Sequence, residues 1–540
     1  MRPQHLGLAA LLVALFGAGF LVGKSPATQE YGYRNLDTFV EVLDKIERNY
    51  VDPVESDKLV KGAINGMMRR LDPFSQYLDK AQFGDLKSLT QGHFGGLGIV
   101  ISIRDNYPTV ISPLEGTPAY SLGIQSGDVI VKIDGASTRG FTSEEAVRKL
   151  RGPEGTPVTI TVARDGAPEH DYTITRETIN VKSVPYAFEV APGIGYMRVS
   201  TFSETTGEEV QAAIARLEKA GARGFVLDLR DNPGGLLNQA VDVTEAFVPK
   251  GNTVVETKGR APGSNTRVVS EGGRAHTQQP LVVLINGGSA SASEIVAGAI
   301  QDLDRGLVVG TTSFGKGSVQ SLIELKGKDA ALKLTTARYY TPSGRSIHRE
   351  SWNRLATRDE DGEDEDDAGE AVDEQELESP AVGHEGTPAD SANRPKFKTR
   401  AGRIVYGGGG ILPDEIVVSD TLETLAREIE RQGLFFKYAG RYASQHRGSA
   451  PPQSVSPAMW QEFESLLAES KVTATPAELA AQRPYLERGM RRELARRMGG
   501  ARGDESAFKV AIEADKQLAR AIDLLSRAKS PGELVRLTAR

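Results

Sequence analysis

Two stretches near the start of the chain carry apolar residues at the spacing of an amphipathic helix. The first runs from Asn35 to Val51, and the second opens at Ser56 and ends near Pro73. Because residues three and four apart share one face of a helix, this pattern predicts a pair of amphipathic helices. We interpret residues 30–84 as an N-terminal helical region that acts as a packing or dimerising arm.

The hydrophobic pattern changes between residues 85 and 177. β-branched runs at residues 99–103, 129–133 and 158–162 are separated by glycine-rich turns. Short runs of this kind, bounded by turn residues, are typical of strands. They predict a compact, mostly β domain.

A third pattern, apolar runs alternating with helical stretches, covers residues 178–348. The runs at 225–229, 281–285 and 306–309 have the length and composition of buried strands. This alternation predicts a layered α/β core. The core pattern resumes at residues 401–418, after a stretch at 349–400 that is rich in Asp, Glu, Ser, Ala and Pro and that we interpret as a disordered acidic insert.

The last part of the chain, residues 419–540, has the pattern of a helical C-terminal region. Arginines are frequent between residues 483 and 502, which raises the alternative of an anionic partner. Leu486, Met490, Leu494 and Met498 are interleaved with these arginines at helical spacing. This arrangement favours an amphipathic packing helix.

An unbroken run of apolar or small residues at positions 6–23 follows Arg2 and His5 and precedes Lys24. Such a run predicts a signal peptide or a single membrane anchor within residues 1–28. No clear small-residue cleavage site follows the run, which favours an uncleaved anchor. In both cases we expect the rest of the chain to be exported.

Composition narrows the remaining classes of function. The chain has 540 residues, 39% of them hydrophobic and 25% charged, which excludes wholesale disorder. The formal net charge is -7, and no basic field indicates a nucleic-acid partner. The absence of cysteine excludes disulfides, thiolate zinc sites and a cysteine nucleophile.

The first candidate for chemistry is the Gly and Ser-rich turn that joins the run at 281–285 to a helix. Residues 289–294 read Ser-Ala-Ser-Ala-Ser-Glu, which places serines at a helix N-terminus. Such a turn can expose a hydroxyl beside helical N–H groups that stabilise an oxyanion. Ser291 and Glu294 also fit a capping box, so the turn alone fits a structural role equally well.

The second candidate is Lys316, which lies between two glycines directly after a predicted strand. Gly310, Gly315 and Lys316 match the start of a phosphate-binding loop, but Gly317 occupies the position of the required Ser or Thr. A lysine can instead act as a general base if burial lowers its pKa from about 10.4.

None of the seven histidines lies in a comparable glycine-flanked turn. His93 and His276 nevertheless remain alternative bases.

Residues 116–135, together with Phe-Gly-Gly-Leu-Gly-Ile at 94–99, resemble a PDZ domain. In that family a peptide adds as a strand to the sheet edge, and backbone N–H groups bind its terminal carboxylate. The resemblance implies that the carboxylate-binding loop comprises Gly96, Leu97, Gly98 and Ile99.

Three motifs together resemble the carboxy-terminal processing proteases, serine peptidase family S41. They are the serine turn at 289–294, Phe-Gly-Lys-Gly-x-Val-Gln at 314–320, and Arg-Asp-Asn-Pro-Gly-Gly at 230–235. The likeness spans roughly residues 35–420 apart from the insert. It implies a multidomain α/β protein in which a crotonase-like or ClpP-like protease core carries an inserted PDZ domain between helical N- and C-terminal regions.

By this resemblance Ser291 is the nucleophile, Lys316 is the general base and Gln320 orients the lysine amine. No metal or cofactor is implied. The remaining site candidates are the oxyanion-hole residues Ala292 and either Gly234 or Gly235, and Arg151, which could couple tail binding to the protease core.

These features predict a serine endopeptidase that cleaves exported proteins near their C-termini at the periplasmic or extracytoplasmic face of a bacterial inner membrane. The expected partners are substrates with apolar free C-termini, the membrane, further copies of the chain in a dimer or larger oligomer, and an adaptor or activating lipoprotein. The alternative is a catalytically silent PDZ scaffold, against which the intact Ser291, Lys316 and Gln320 argue.

Overall fold

The computed structural model describes residues 30–164, 167–272, 276, 278–327, 329–349 and 394–538, with side chains from residue 36 onwards. The predicted signal or anchor segment, and residues 350–393 of the predicted acidic insert, lie outside the described residues. Within the described residues the chain divides into two compact units, one ending at Tyr77 and the other beginning at Leu78.

The first unit contains the predicted pair of helices, which is confirmed as α1 (Glu30–Asn49) and α2 (Ser56–Arg69). Apolar side chains along α1, among them Phe39, Val40 and Ile46, are exposed. The short strand β1 (Gln76–Leu78) follows. Among the described residues no helix has the length and apolar character needed to cross a membrane.

The β-rich domain at the start of the second unit is built from one antiparallel sheet and a two-stranded ribbon. The sheet has the order β3-β4-β5-β7-β8, with β6 paired to β5, and β2 pairs with β9 in the ribbon. Val110, Ile130, Ile160 and Ile174 fill its core. Its elements are α3 (Lys80–Gln91), β2 (His93–Gly96), β3 (Ile99–Arg104), β4 (Tyr107–Pro113), α4 (Pro118–Ser121), β5 (Val129–Ile133), β6 (Ala136–Ser137), α5 (Ser143–Leu150), β7 (Pro157–Ala163), β8 (His170–Thr175) and β9 (Glu177–Asn180).

The α/β core is a six-stranded sheet of order β10-β11-β12-β15-β16-β21, parallel except for β10. Strands covered on both faces are uniformly apolar, and every residue of β15 is buried. The elements are β10 (Tyr186–Ala191), β11 (Ile194–Arg198), α6 (Thr206–Lys219), β12 (Gly224–Asp228), α7 (Leu237–Glu245), β15 (Leu281–Ile285), α8 (Ala292–Asp302), β16 (Leu307–Gly310) and β21 (Glu415–Ile416).

A second antiparallel sheet lies beside the core, and in it β18 pairs with both β17 and β13, while β13 pairs with β14. Lys316 lies in the turn between β16 and β17. The strands are β13 (Thr253–Lys258), β14 (Thr266–Val269), β17 (Ser318–Glu324) and β18 (Ala331–Tyr340), with a separate pair formed by β19 (Lys396–Lys398) and β20 (Ile404–Tyr406).

The C-terminal region is helical, as predicted, and it contacts both the β-rich domain and the core. The Arg104 guanidinium on β3 lies 4.2 Å from the ring of Phe436. Leu518 and Leu524 pack on the face of the core sheet opposite α6, α7 and α8. The helices are α9 (Thr424–Arg431), α10 (Leu434–Gln445), α11 (Pro457–Glu469), α12 (Pro476–Met498), α13 (Gly503–Ala511), α14 (Lys516–Arg527) and α15 (Pro531–Arg536).

The arginine-rich stretch has the packing role predicted for it. Leu486, Met490 and Leu494 are fully buried on α12. Arg492 and Arg496 form ion pairs with glutamates of the same helical region. The Arg492 pair joins α12 to α9, and the Arg496 pair lies within α12, so both arginines have partners in the same chain.

Candidate active site

The three serines of the turn before α8 differ in what their hydroxyls do. Ser289 is buried and donates to Leu229 O at 2.8 Å, and Ser293 is buried and donates to Asn232 O at 2.9 Å. Ser291 is half-buried and has φ 53° and ψ -111°. Non-glycine residues rarely adopt such a left-handed conformation, and when they do they cluster at active sites. Ser291 is therefore the serine that the turn presents.

Helix α8 begins directly after this serine. Ser291 O accepts from the N–H groups of Glu294 and Ile295 at 2.9 and 3.0 Å. The first N–H groups of a helix have no partner within it, and none of the described residues accepts from the Ala292 N–H. A donor is thus available beside the Ser291 hydroxyl.

The two glycines of the loop at 230–235 have different environments. Gly234 is buried, its N–H donates to Asn232 Oδ1 at 2.9 Å, and a Cβ built on it would lie 2.9 Å from Ser291 Cβ. Gly235 is exposed and forms a parallel bridge with Phe202, whose N–H donates to Gly234 O at 3.0 Å. In a parallel bridge one residue makes both hydrogen bonds to the other strand, and here that residue is Phe202. The N–H of Gly235 therefore points away from the strand of Phe202. Gly235, unlike Gly234, has an N–H that no described residue uses.

The buried carboxylate of Glu294 connects the serine turn to the lysine loop. Its Oε2 accepts from the backbone N–H of Ser291 at 2.8 Å and from that of Lys316 at 3.0 Å. Its Oε1 accepts from Ser313 Oγ at 2.6 Å and from Gly315 N–H at 2.8 Å. Burial raises the pKa of Glu294 above its usual value, and the four donors oppose that shift.

Tyr339, on β18, makes a second connection between the same two segments. Its buried hydroxyl lies 3.1 Å from Ser291 O and also contacts Lys316 O. Burial raises the pKa of Tyr339 well above its usual value, so this hydroxyl remains a donor. Glu294 and Tyr339 therefore hold the backbones of Ser291 and Lys316 together from the N–H side and from the carbonyl side.

Sequence reasoning did not assign this role to either residue. In the sequence, Glu294 fits only the last position of the capping box that begins at Ser291, and no local pattern singles out Tyr339. Their contacts join segments that are distant in sequence, so no local pattern reports them.

Gln320 lies on β17, where the pairing with β18 is interrupted by a register shift between Val319 and Gln320. Its Nε2 donates to Ser318 Oγ at 3.0 Å and to Thr335 Oγ1 at 3.3 Å. Both N–H donors of the amide are thus used. Oε1 is consequently the atom of this side chain that can accept a hydrogen bond from an amine.

The alternative bases lie in other parts of the fold. His93 is on β2, opposite Asn180, and His276 Nδ1 lies 2.8 Å from Glu218 Oε1. A histidine that the sequence analysis did not single out, His348, is buried beside the lysine loop, where a Cβ built on Gly317 would lie 2.7 Å from its backbone N.

The proposed carboxylate-binding loop connects β2 to β3. Gly96 ends β2, Leu97 is buried, and Ile99 begins β3, which is the terminal strand in the order of its sheet. Leu97 O accepts from Ala119 N–H at 3.1 Å. Gly98 has φ 75°, and a Cβ built on it would overlap Thr117, so only glycine fits this turn.

Arg151 follows the last residue of α5 and lies at the base of the β2–β9 ribbon. Its guanidinium is 3.9 Å from the ring of Phe94 and 3.8 Å from Asp85 Oδ1 on α3. Within the described residues, its side-chain contacts join it to this ribbon and to α3. A contact with the protease core, as the coupling hypothesis requires, stays a prediction.

Three segments of the chain match known protein families. Residues 193–353 match the peptidase family S41, residues 109–164 a PDZ domain, and residues 21–82 the activating protease CtpB N-terminal domain. The carboxy-terminal-processing protease of Bartonella bacilliformis is 47% identical over 320 residues, which are 58% of this chain and 73% of that protein. The carboxy-terminal processing protease CtpA of Bacillus subtilis is 36% identical over 342 residues, covering 63% of this chain and 72% of that one.

Among solved structures, a photosystem II D1 C-terminal processing protease is 30% identical. The match covers 57% of this chain and 89% of that protein, with a TM-score of 0.33.

Proposed function

This chain belongs to the carboxy-terminal processing proteases of serine peptidase family S41, and we propose that it cleaves proteins near their C-termini through a dyad of Ser291 and Lys316. The predicted fold class, a multidomain α/β protein with a protease core, a PDZ domain and helical terminal regions, is confirmed. The prediction of a serine-type endopeptidase is confirmed by the family.

The observation that carries the dyad is the pair of contacts that hold Ser291 and Lys316 together. Glu294 Oε2 accepts from both backbone N–H groups, and the Tyr339 hydroxyl contacts both carbonyl oxygens. Lys316 is half-buried in this arrangement. A partly desolvated lysine beside a serine at a helix N-terminus suits acyl transfer.

In the proposed mechanism the neutral amine of Lys316 accepts the proton of Ser291 Oγ as this oxygen attacks the scissile carbonyl carbon. The tetrahedral oxyanion receives hydrogen bonds from the N–H groups of Ala292 and Gly235. The lysine ammonium then protonates the leaving amine as the C–N bond breaks. Water next attacks the acyl-enzyme, gives a proton to Lys316, and releases the new C-terminus and the Ser291 hydroxyl, which recovers its proton from Lys316.

We assign the oxyanion role to Gly235 rather than Gly234. The Gly234 N–H is occupied by Asn232 Oδ1, whereas Gly235 is exposed beside it. Gln320 would accept from the Lys316 amine through Oε1, because Ser318 and Thr335 occupy both of its donors. This contact would direct the lone pair of the amine towards Ser291.

The PDZ domain is proposed to bind the apolar free C-terminus of the substrate. Strand β3 is terminal in its sheet, and the turn from Gly96 to Gly98 precedes it, so a peptide can add as a further strand with its carboxylate at this turn. Arg151 contacts Phe94 on the preceding strand and is retained as a candidate for coupling. If Arg151→Ala reduces cleavage of tailed substrates no more than an unrelated surface arginine variant does, the coupling hypothesis fails.

Export and self-association are also proposed. The apolar N-terminal run supports a periplasmic or extracytoplasmic location with contact to the membrane. Exposed Phe39 and Val40 on α1 support a homodimer or larger oligomer. Sedimentation that shows the same mass for the wild type and for Phe39→Glu would contradict this use of α1. An adaptor or activating lipoprotein is a further proposed partner.

The test uses the full-length protein and an unfolded substrate with an apolar C-terminus, and follows the products by intact mass. Wild type should shorten the substrate near its C-terminus, and Ser291→Ala and Lys316→Ala should not. His348→Ala is the matched control for a base near the same loop and should stay active. If neither the wild type nor either dyad variant cleaves the substrate, the PDZ scaffold is favoured. If His348→Ala loses cleavage while Lys316→Ala keeps it, the proposed dyad is wrong.

A further inference from the structure

Arg230 opens the loop that carries Gly234 and Gly235, and its guanidinium is buried among ionic partners. Nε and Nη2 donate to the two carboxylate oxygens of Asp228 at 2.9 and 2.6 Å. Asp228 is fully buried. Burial opposes its ionisation, but the adjacent Arg230 guanidinium holds the pKa of Asp228 below its usual value.

The remaining donor group of Arg230 is bound by the C-terminal helical region. Nη1 lies 2.7 Å from Asp515 Oδ2 and donates to Gln517 Oε1 at 2.9 Å. Gln517 is itself buried, and its Nε2 donates to Val417 O at 2.7 Å. A buried guanidinium is costly unless its N–H groups are satisfied, so the start of α14 completes the environment that Arg230 requires.

Asp515 has two separate roles. Its Oδ1 accepts from Leu518 N–H at 3.0 Å and caps α14, while its Oδ2 bonds to Arg230. One oxygen therefore serves the helix cap, and the other serves the ion pair with Arg230. A substitution can therefore keep the cap and remove the charge.

Residues 230–235 form the loop that carries Gly234 and Gly235, here called the oxyanion loop. Because short contacts connect this loop to the serine turn, a displacement of Arg230 would displace both. Two residues along the chain, Asn232 O accepts from Ala290 N–H at 3.0 Å and from Ser293 Oγ at 2.9 Å. Asn232 Oδ1 fixes Gly234 N–H. The backbone between Arg230 and Gly235 is thus held at one end by the ion cluster and at the other by the turn of Ser291.

We propose that Asp515 and Gln517 are positioning residues for the oxyanion loop, so that the C-terminal extension takes part in catalysis through Arg230. This inference rests on the proposed function, because it presumes that Gly235 and Ala292 bind the oxyanion. Neither residue touches the reacting atoms. Their effect is on the placement of the Gly235 N–H and should appear in kcat.

The test measures kcat, KM and the thermal unfolding midpoint of full-length variants with a tailed substrate. Asp515→Asn keeps a good N-cap and removes the charge. Removing an oxyanion donor outright costs about 100-fold to 1000-fold in kcat, so misplacing one is expected to cost about tenfold, with KM within about twofold. Gln517→Ala should act in the same direction, and Asp515→Glu, which keeps the charge, should recover most of kcat.

Arg520→Gln is the matched control, because Arg520 joins the same helix to Glu415 on β21 through contacts of 2.5 and 2.7 Å. It should lower the unfolding midpoint without lowering kcat. Equal kcat in Asp515→Asn and Arg520→Gln, while activity still depends on Ser291, would overturn this inference alone. Activity that survives Ser291→Ala would instead overturn the proposed function.

Discussion

Glu294→Gln should lower the activity of the site far more than it changes the stability of the fold. The carboxylate accepts four hydrogen bonds, two on each oxygen, from Ser291, Lys316, Ser313 and Gly315. A glutamine amide has nearly the same shape but presents an NH2 group to two of these donors. Hydrogen bonds to a charged group contribute about 1.5–3 kcal/mol each, so two lost bonds correspond to about 3–6 kcal/mol of local interaction.

Part of that loss should be offset in the free energy of unfolding. Burial raises the pKa of Glu294, which means that the folded protein bears a cost for the buried charge, and the neutral amide removes this cost. We expect the free energy of unfolding of Glu294→Gln to differ from that of the wild type by no more than about 2 kcal/mol. The loss of alignment should lower kcat/KM by at least about 100-fold, equivalent to about 2.7 kcal/mol.

The assay compares kcat/KM and denaturant unfolding of wild type, Glu294→Gln and Glu478→Gln. Glu478 occupies the same position in the exposed capping box of Thr475, so it controls for the loss of a cap. Unchanged kcat/KM in Glu294→Gln, or an equal loss in Glu478→Gln, would refute the reasoning.

The pH dependence of unfolding supplies an independent check on Glu294. Because its folded pKa is raised, the folded state binds this proton more tightly than the unfolded state does. Its contribution to the free energy of unfolding should therefore fall as pH rises from the unfolded value of about 4.3 to the raised folded pKa. Glu294→Gln should remove that part of the slope. If the free energy of unfolding has the same dependence on pH in the two proteins, the raised pKa of Glu294 is contradicted.

The remaining predictions concern the contacts around the proposed dyad and the proposed tail-binding loop. Gly234→Ala should abolish cleavage because its Cβ would lie within 3.0 Å of Ser291 Cβ and Ala292 N. The control Gly221→Ala has a similar φ of 104° but open space around it, so it should lose stability and retain kcat. Equal activities of the two variants would contradict this. Tyr339→Phe removes the hydroxyl contacts to the carbonyl oxygens of Ser291 and Lys316 and should lower kcat about tenfold, about 1.4 kcal/mol, with little change in KM. An unchanged kcat would show that Glu294 alone holds the two segments in place. Gly98→Ala should weaken binding of an apolar C-terminal peptide by calorimetry at least about tenfold, while Gly116→Ala, at φ 74° with no neighbour within 4 Å, should bind normally; equal affinities would remove the proposed loop from tail recognition.

Local features of the fold could be read from the sequence because they depend on local chemistry. The apolar runs at 129–133 and 281–285 became strands with those same bounds, β5 and β15. The serine turn could be located because a strand, glycines and a capping motif follow one another within a few residues. Ser291 and Lys316, in contrast, were paired by resemblance to a family, since periodicity says nothing about which turns meet in space.

The contacts that define the site are long-range, and this is why they could not be predicted. The choice between Gly234 and Gly235 as oxyanion donor depends on the bridge between Gly235 and the distant Phe202, which leaves the Gly235 N–H without a described acceptor, while Asn232 Oδ1 accepts from the Gly234 N–H. Likewise, helical spacing predicts that α14 has an apolar face, but it cannot show that the polar residues at its start meet Arg230.

The most direct test of the Ser291 and Lys316 dyad is to locate the acyl group during turnover. Wild type is mixed rapidly with an ester of a C-terminal peptide, quenched in acid, digested with a second protease and mapped by mass spectrometry. The proposed mechanism predicts one acyl adduct, on Ser291, and its absence in Lys316→Ala. An adduct on Ser289 or Ser293, or an equal rate of acylation in Lys316→Ala, would contradict the assignment of nucleophile or base.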